Sequence, residues 1–145
     1  MTYSLADLSQ SVFHSLGLAH THDPLALGES PHQRECILLV DGLGMNALEN
    51  YDALPIMKQL KLTHELQSNF PSTTATSLAT LGTGQLPGVH GMLGYTVRVP
   101  RSGEPGRLLN ALRWDERVDP VMWQNVPTLF ERAAHSGITV SHVAA

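Results

Sequence analysis

The stretch that decides the reading is "CILLVDGLGM", residues 36–45. Five apolar residues run unbroken into Asp41, and Gly42 and Gly44 follow with one residue between them. An apolar run of this length is the pattern of a strand covered on both faces, as inside a parallel sheet. The spacing therefore predicts a buried strand over 36–40 whose end presents a carboxylate beside a glycine turn. In open α/β sheets that end of a strand is where ligands bind. Two chemistries compete for the place: a loop that cradles phosphates, and a metal ligand.

The phosphate loop has a pattern in its favour. Gly42, Gly44 and Ala47 fit G-x-G-x-x-A, set between an expected strand and an expected helix. Asp41 speaks against it. Loop amides and a helix N-terminus receive a diphosphate because they are positive. A fixed carboxylate at the same mouth repels it by about 4 kcal/mol at ~4 Å in an intermediate dielectric. The fingerprint also asks for an acidic residue about twenty positions on, at a strand end. Glu65 is the nearest offer, and it does not clearly end a strand.

The metal reading gains from a second stretch, "NFPSTTATSLATLGTG" (69–84). A carboxylate is a hard donor suited to a divalent cation. Ser72, Thr73 and Thr74 lead into a helix expected over 74–81 and ended by Gly82 and Gly84. Ser and Thr before a helix are ordinary N-caps and need no catalysis. An alcohol at that place also stands among backbone N–H groups aimed at any phosphate it attacks.

Working outward, Leu5, Leu8, Val12, Phe13 and Leu16 suit an amphipathic helix over 4–17, read as a peripheral cover. Residues 20–35 read as a loop in which His20 and His22 are solvated rather than metal-binding. A short helix is expected over 46–51, another around Met57, Leu60 and Leu62, and a strand over 64–70. "MLGYTVRVP" and "RLLNALRW" form two strands around the turn "RSGEPG". Pro127 opens a helix with Leu129, Phe130, Ala133 and Ala134 as its apolar stripe, Gly137 stops it, and "ITVSHV" (138–143) returns as a strand. Asp115 and Asp119 cap or solvate the turn after Trp114, and His142 fits no ligand motif. Alternating strands and helices make the fold class α/β, a mostly parallel sheet flanked by helices.

The chain has 145 residues, 42% of them hydrophobic and 15% charged, which is globular composition and argues against disorder. A net charge of −4 and the lack of a basic run disfavour nucleic acid as a partner. Cys36 is the only cysteine, so no intrachain disulfide forms, and a buried, unreactive thiol is expected. The N-terminus has no basic start followed by an apolar stretch, and no apolar run approaches membrane-spanning length. The expected location is cytoplasmic.

Asp41-Gly42 after an apolar strand, then "FPSTT" (70–74), then "TGQLPGVHGM" (83–92), resembles the alkaline phosphatase superfamily. The resemblance is closest to its nucleotide pyrophosphatase/phosphodiesterase branch and covers roughly 36–95, more loosely to the end. It implies an alkaline-phosphatase-like fold and hydrolysis of small phosphate mono- or diesters with two divalent metal ions, zinc being expected. It implies that Asp41 and Thr74 hold metal and that Thr74 is the nucleophile, nine residues before Thr83, with Thr73 second. Three residues after Thr74, where the resemblance implies a phosphate-contacting side chain, stands Ser77, which donates one hydrogen bond but lacks the reach of an amide. His90 fits the motif histidine and is read as structural, holding its loop. The lack of a Cys/Ser-x-Pro-x-Arg segment speaks against a sulfatase.

The chain stops immediately after a strand expected inside the sheet. Residues 1–145 are therefore expected to be the N-terminal portion of a single catalytic domain, with the remaining metal ligands beyond residue 145. A non-catalytic α/β module, with Asp41 and Thr74 merely capping, stays open beside this reading. Magnitudes show why ligands matter. Lowering an alcohol's pKa from ~15.7 to ~7 takes about 12 kcal/mol, with water as proxy. A helix terminus supplies at most about 2 kcal/mol. The expectation is that the 145-residue chain alone turns over phosphate esters negligibly, with or without added metal; a steady-state assay at enzyme-like rates refutes it.

Overall fold

The computed structural model describes residues 2–29, 34–50, 62–101, 103 and 105–143. In chain order these form β1 (Tyr3–Ser4), α1 (Leu5–Ser15), α2 (Met45–Asn50), β2 (Leu66–Gln67), α3 (Thr74–Thr83), α4 (Pro87–His90), β3 (Thr96–Arg98), β4 (Leu108–Asn110), α5 (Pro120–Trp123) and α6 (Leu129–His135). β1 pairs with β2 in parallel, Tyr3 opposite Leu66, and β3 pairs with β4 antiparallel, Val97 opposite Leu109. The chain is thus α/β in general terms. Its described residues carry two short two-stranded sheets rather than the mostly parallel sheet expected.

The helices α1, α3 and α6 pack on one another. Ser4 starts α1 with a capping box: its hydroxyl accepts from the Asp7 N–H, and the Asp7 carboxylate accepts from the Ser4 N–H at 2.8 Å. The helix ends in a Schellman motif. Gly17, at φ 82°, donates to the His14 carbonyl, and Leu18 donates to that of Phe13. α6 ends the same way, Gly137 on Ala134 and Ile138 on Ala133. Both motifs turn their last apolar residue back onto one cluster of Phe13, Leu18, Leu129 and Ala133, with Phe130, Ile138 and Val140 around it. Phe13 and Phe130 meet edge to face, centroids 5.3 Å apart.

α1 is no peripheral cover. It buries Ser9, Gln10, Ser11 and Ser15 as well as Ala6, Val12 and Phe13, so more than half of its buried residues are polar and invisible to a search for apolar spacing. Gln10 shows why: its amide donates to the Gly84 carbonyl at 3.0 Å, tying α1 to the end of α3.

Other expectations change too. Residues 36–40 form no strand and are exposed, Leu38 at 84%, and Cys36 is exposed with them. Residues 138–143 form no strand either. A strand exists only through its neighbours, and neither segment has a ladder partner among the described residues. Residues 36–39 and 138–143 instead line one open cavity with Leu78, Leu81 and Phe130. The strand over 64–70 shrinks to β2, because only Leu66 and Gln67 face β1. Pro127 precedes the N-cap Thr128 rather than opening α6, and Ala134 is exposed. Met57, Leu60 and Tyr51 lie outside the described residues, while Leu62 is exposed and not helical. The strands expected over 92–100 and 107–114 shrink to β3 and β4, which pair across the expected turn. No helix among the described residues is long and apolar enough to cross a membrane.

Gly82 lies inside α3, whereas Gly84 caps it at φ 64°. A Cβ at Gly82 meets nothing within 4 Å; one at Gly84 meets the buried Leu129 Cδ1 at 2.7 Å and Gln10 Nε2 at 2.8 Å. The same substitution two positions apart should therefore act with opposite sign. Gly82→Ala is expected to stabilise by about 0.4–1 kcal/mol through lost unfolded-state entropy. Gly84→Ala is expected to destabilise by about 1–3 kcal/mol through strain and overpacking. Denaturant titration of both variants checks the pair.

Candidate active site

The site is built where α3 begins. Thr73 is its N-cap, φ −100° and ψ 149°; its hydroxyl accepts from the Thr76 N–H and lies 2.9 Å from the Thr76 hydroxyl, which is buried. Thr74, one residue on, is the first helical residue and has no capping duty. Its Oγ1 donates to Asp41 Oδ2 at 2.9 Å, across 33 residues of sequence. Asp41 itself sits in an exposed turn in which Gly42 adopts φ 72°. That left-handed backbone suits glycine and bends the chain away directly after the carboxylate.

The two hydroxyls are thus divided by capping. Thr73 spends its oxygen on the helix, and Thr74 directs its own at the carboxylate. Ser77 lies one turn along α3, half-buried, with its N–H donating to the Thr73 carbonyl. The carboxylate, the alcohol and the helix start therefore meet, with Ser77 next along the same helix. Two hard oxygen donors within 2.9 Å of each other fit part of a divalent-cation site. They are not a whole one: among the described residues no three His, Cys, Asp or Glu side chains converge.

The phosphate-loop alternative loses its context. The segment before Asp41 is not a strand, and Glu65 stands immediately before β2 rather than at the end of a strand. His20 and His22 are exposed, as is His142. Asp115 takes a bidentate contact from Arg117 at 2.8 Å and a longer one from Arg107 at 3.6 Å. Arg117 holds its carboxyl well below the usual carboxylate range, at about 2. Asp119 caps α5, accepting from Val121 and Met122. Both acids do the structural work expected of them.

One group around the site was missed in the sequence. Thr80, in the second turn of α3, is fully buried and receives Asn69 Nδ2 at 2.6 Å, while its Oγ1 lies 2.9 Å from His90 Nε2. Met92 donates its backbone N–H to His90 Nδ1 at 3.1 Å. His90 does hold its loop, and it holds α3 as well. The available signal was a histidine seven residues after Thr83, but its partner, a helix threonine, reads as plain helix surface.

The division between the two threonines is measurable without activity. Thr73→Ala should cost about 0.5–2 kcal/mol, the worth of an N-cap, and Thr73→Ser should retain most of it. Thr74→Ala should stay within about 0.5 kcal/mol of the parent, since its contact is exposed. Denaturation midpoints of the three variants decide.

The family model for type I phosphodiesterase / nucleotide pyrophosphatase matches residues 36–145, which takes in Asp41, Thr73, Thr74, Ser77 and His90. No curated protein and no solved structure matches the chain. The match covers most of the 145 residues, and the chain belongs to the type I phosphodiesterase/nucleotide pyrophosphatase family.

Proposed function

We propose that this chain supplies the nucleophile and one metal-binding carboxylate of a metal-dependent phosphodiesterase or phosphatase, acting on small phosphate esters through a phospho-threonine intermediate. The observation that carries the reading is the 2.9 Å contact between Thr74 Oγ1 and Asp41 Oδ2 at the start of α3. Family membership supports the reaction class, a hydrolase of the phosphodiesterase/pyrophosphatase type.

In this proposal Asp41 and Thr74 hold a divalent cation, zinc by expectation, together with donors not found among the described residues. When bound, such a cation would lower the pKa of the Thr74 hydroxyl, which a helix terminus worth at most about 2 kcal/mol cannot do alone. Thr74 Oγ1 attacks phosphorus in line, the new O–P bond forming as the bond to the leaving oxygen breaks. Its proton leaves for solvent, and the leaving oxygen gains one. Water then attacks the phospho-threonine, and the bond to Thr74 breaks to restore the alcohol. The N–H groups at the start of α3 face the developing negative charge, and Ser77 offers one further hydrogen bond. The mostly parallel, alkaline-phosphatase-like sheet expected from the sequence belongs to this proposal, with residues 1–145 as the N-terminal portion of one catalytic domain.

The test is hydrolysis of bis-p-nitrophenyl phosphate by the protein carrying its full ligand set. Zinc-dependent turnover is expected, abolished by chelators and reduced on the order of a thousandfold or more in Thr74→Ala, the scale on which loss of a covalent nucleophile acts. Unchanged turnover in Thr74→Ala moves the role to Thr73 or ends the proposal. Zinc content separates the non-catalytic reading, since a module in which Thr74 and Asp41 share only a hydrogen bond binds none.

A further inference from the structure

His90 is the only ionisable side chain buried among the described residues, at 2% exposure, and the chemistry proposed above does not use it. Its hydrogen bonds fix its proton. The Met92 N–H can only donate, so Nδ1 is the acceptor and the hydrogen resides on Nε2, which donates to Thr80 Oγ1. The Thr80 hydroxyl donates a hydrogen bond to the Thr76 carbonyl at 3.0 Å and accepts from Asn69 Nδ2 on its remaining lone pair. Every donor in the chain of contacts has an acceptor. Three segments are joined through one hydroxyl: the residues after β2, the helix α3, and the turn at Gly91 and Met92.

We infer that His90 is a positioning residue, which in its neutral Nε2–H tautomer clamps Thr80 and thereby sets where α3 presents Thr74 to Asp41. The importance of that placement rests on the function proposed above; the clamp does not. Adding a proton to Nδ1 sets two donors, His90 and the Met92 N–H, against each other. No neighbouring charge compensates. α3 and the turn at Gly91 and Met92 carry no ionisable side chain, nor do residues 67–71 around Asn69. The charged groups around these elements are Asp7 and His14 from α1, Glu131, Arg132 and His135 from α6, and Asp41 at Thr74. Beyond these, Arg101, Arg117 and Asp119 line an open cavity with Gly91, whereas the His90 ring nitrogens are engaged by Thr80 and Met92. Burial accordingly pushes the His90 imidazole below its ordinary value. An unfolded histidine gains its proton near ~6.5, before the folded one does, so acid favours opening. The clamp's contribution is complete above that value and is lost as pH falls towards the folded pKa.

Long-range ¹⁵N–¹H spectra of the 145-residue chain across an acid titration test this. His90 should show the Nε2–H tautomer with a midpoint below ~6.5, and the Thr74 amide should shift with that same midpoint. In His90→Gln the carboxamide can still donate to Thr80 and accept from Met92 but cannot titrate. There the Thr74 amide should keep its neutral-pH position and lose the acid step. Thr80→Val removes the hydroxyl through which the coupling runs, so His90 should titrate while Thr74 stays still. A hydrogen on Nδ1, a midpoint at or above the ordinary value, or a Thr74 amide indifferent to His90 in the parent overturns the inference, as does continued coupling in Thr80→Val. No metal or substrate enters these measurements, so their failure and the failure of the turnover assay are separate results.

Discussion

The position of α3 depends on contacts made along its whole length, and everything said of Thr74 depends on that position. At its C-terminal end the Gly84 backbone comes so close to Leu129 and Gln10 that no side chain fits, and the Gln10 amide closes on the carbonyl there. In its middle, the Thr80 hydroxyl is shared by Asn69 and His90. At its start, Thr73 closes the first turn. A helix of small residues offers little apolar area to anchor it, so its placement comes from buried polar contacts and close backbone approach. Such contacts are directional, and their loss costs more than their presence gains.

The start of α3 puts unlike charges together. The helix N-terminus is electropositive, and Asp41 sits in contact with its first residue. Without a cation the carboxylate is served by the Thr74 hydroxyl and the helix dipole. Under the proposed function a divalent ion would compete for the same two oxygens. Under the proposed function an incoming phosphate would meet the amides favourably and the carboxylate unfavourably, a conflict that a divalent cation would relieve.

Much of the site was legible because its residues are fixed by spacing. The family resemblance singled out Asp41, Thr74 and His90, and the structure brings the first two within 2.9 Å; the hairpin of β3 and β4 was expected from its turn. What was lost was lost for physical reasons. The apolar pattern of residues 36–40 and 138–143 reports what a segment needs, a covered face, and cannot supply the neighbour. The same two segments leave Ile37, Leu38, Leu39, Val40 and Val143 exposed. α1 failed the opposite way: its apolar spacing suggested one covered face, and buried serines and a glutamine widened it. The polar hub at Thr80 was unreadable, because a threonine in a helix gives no sign of which residues will reach it.

Thr73 and Thr74 are the same residue side by side, and only the choice of cap tells them apart. An α-helix turns about 100° per residue, so beginning α3 one residue earlier or later swings the neighbouring hydroxyl a quarter turn or more around the axis. The identity of the oxygen offered to Asp41 is therefore a matter of helix register rather than of side-chain chemistry. In this fold the residue that never faces the carboxylate decides which one does.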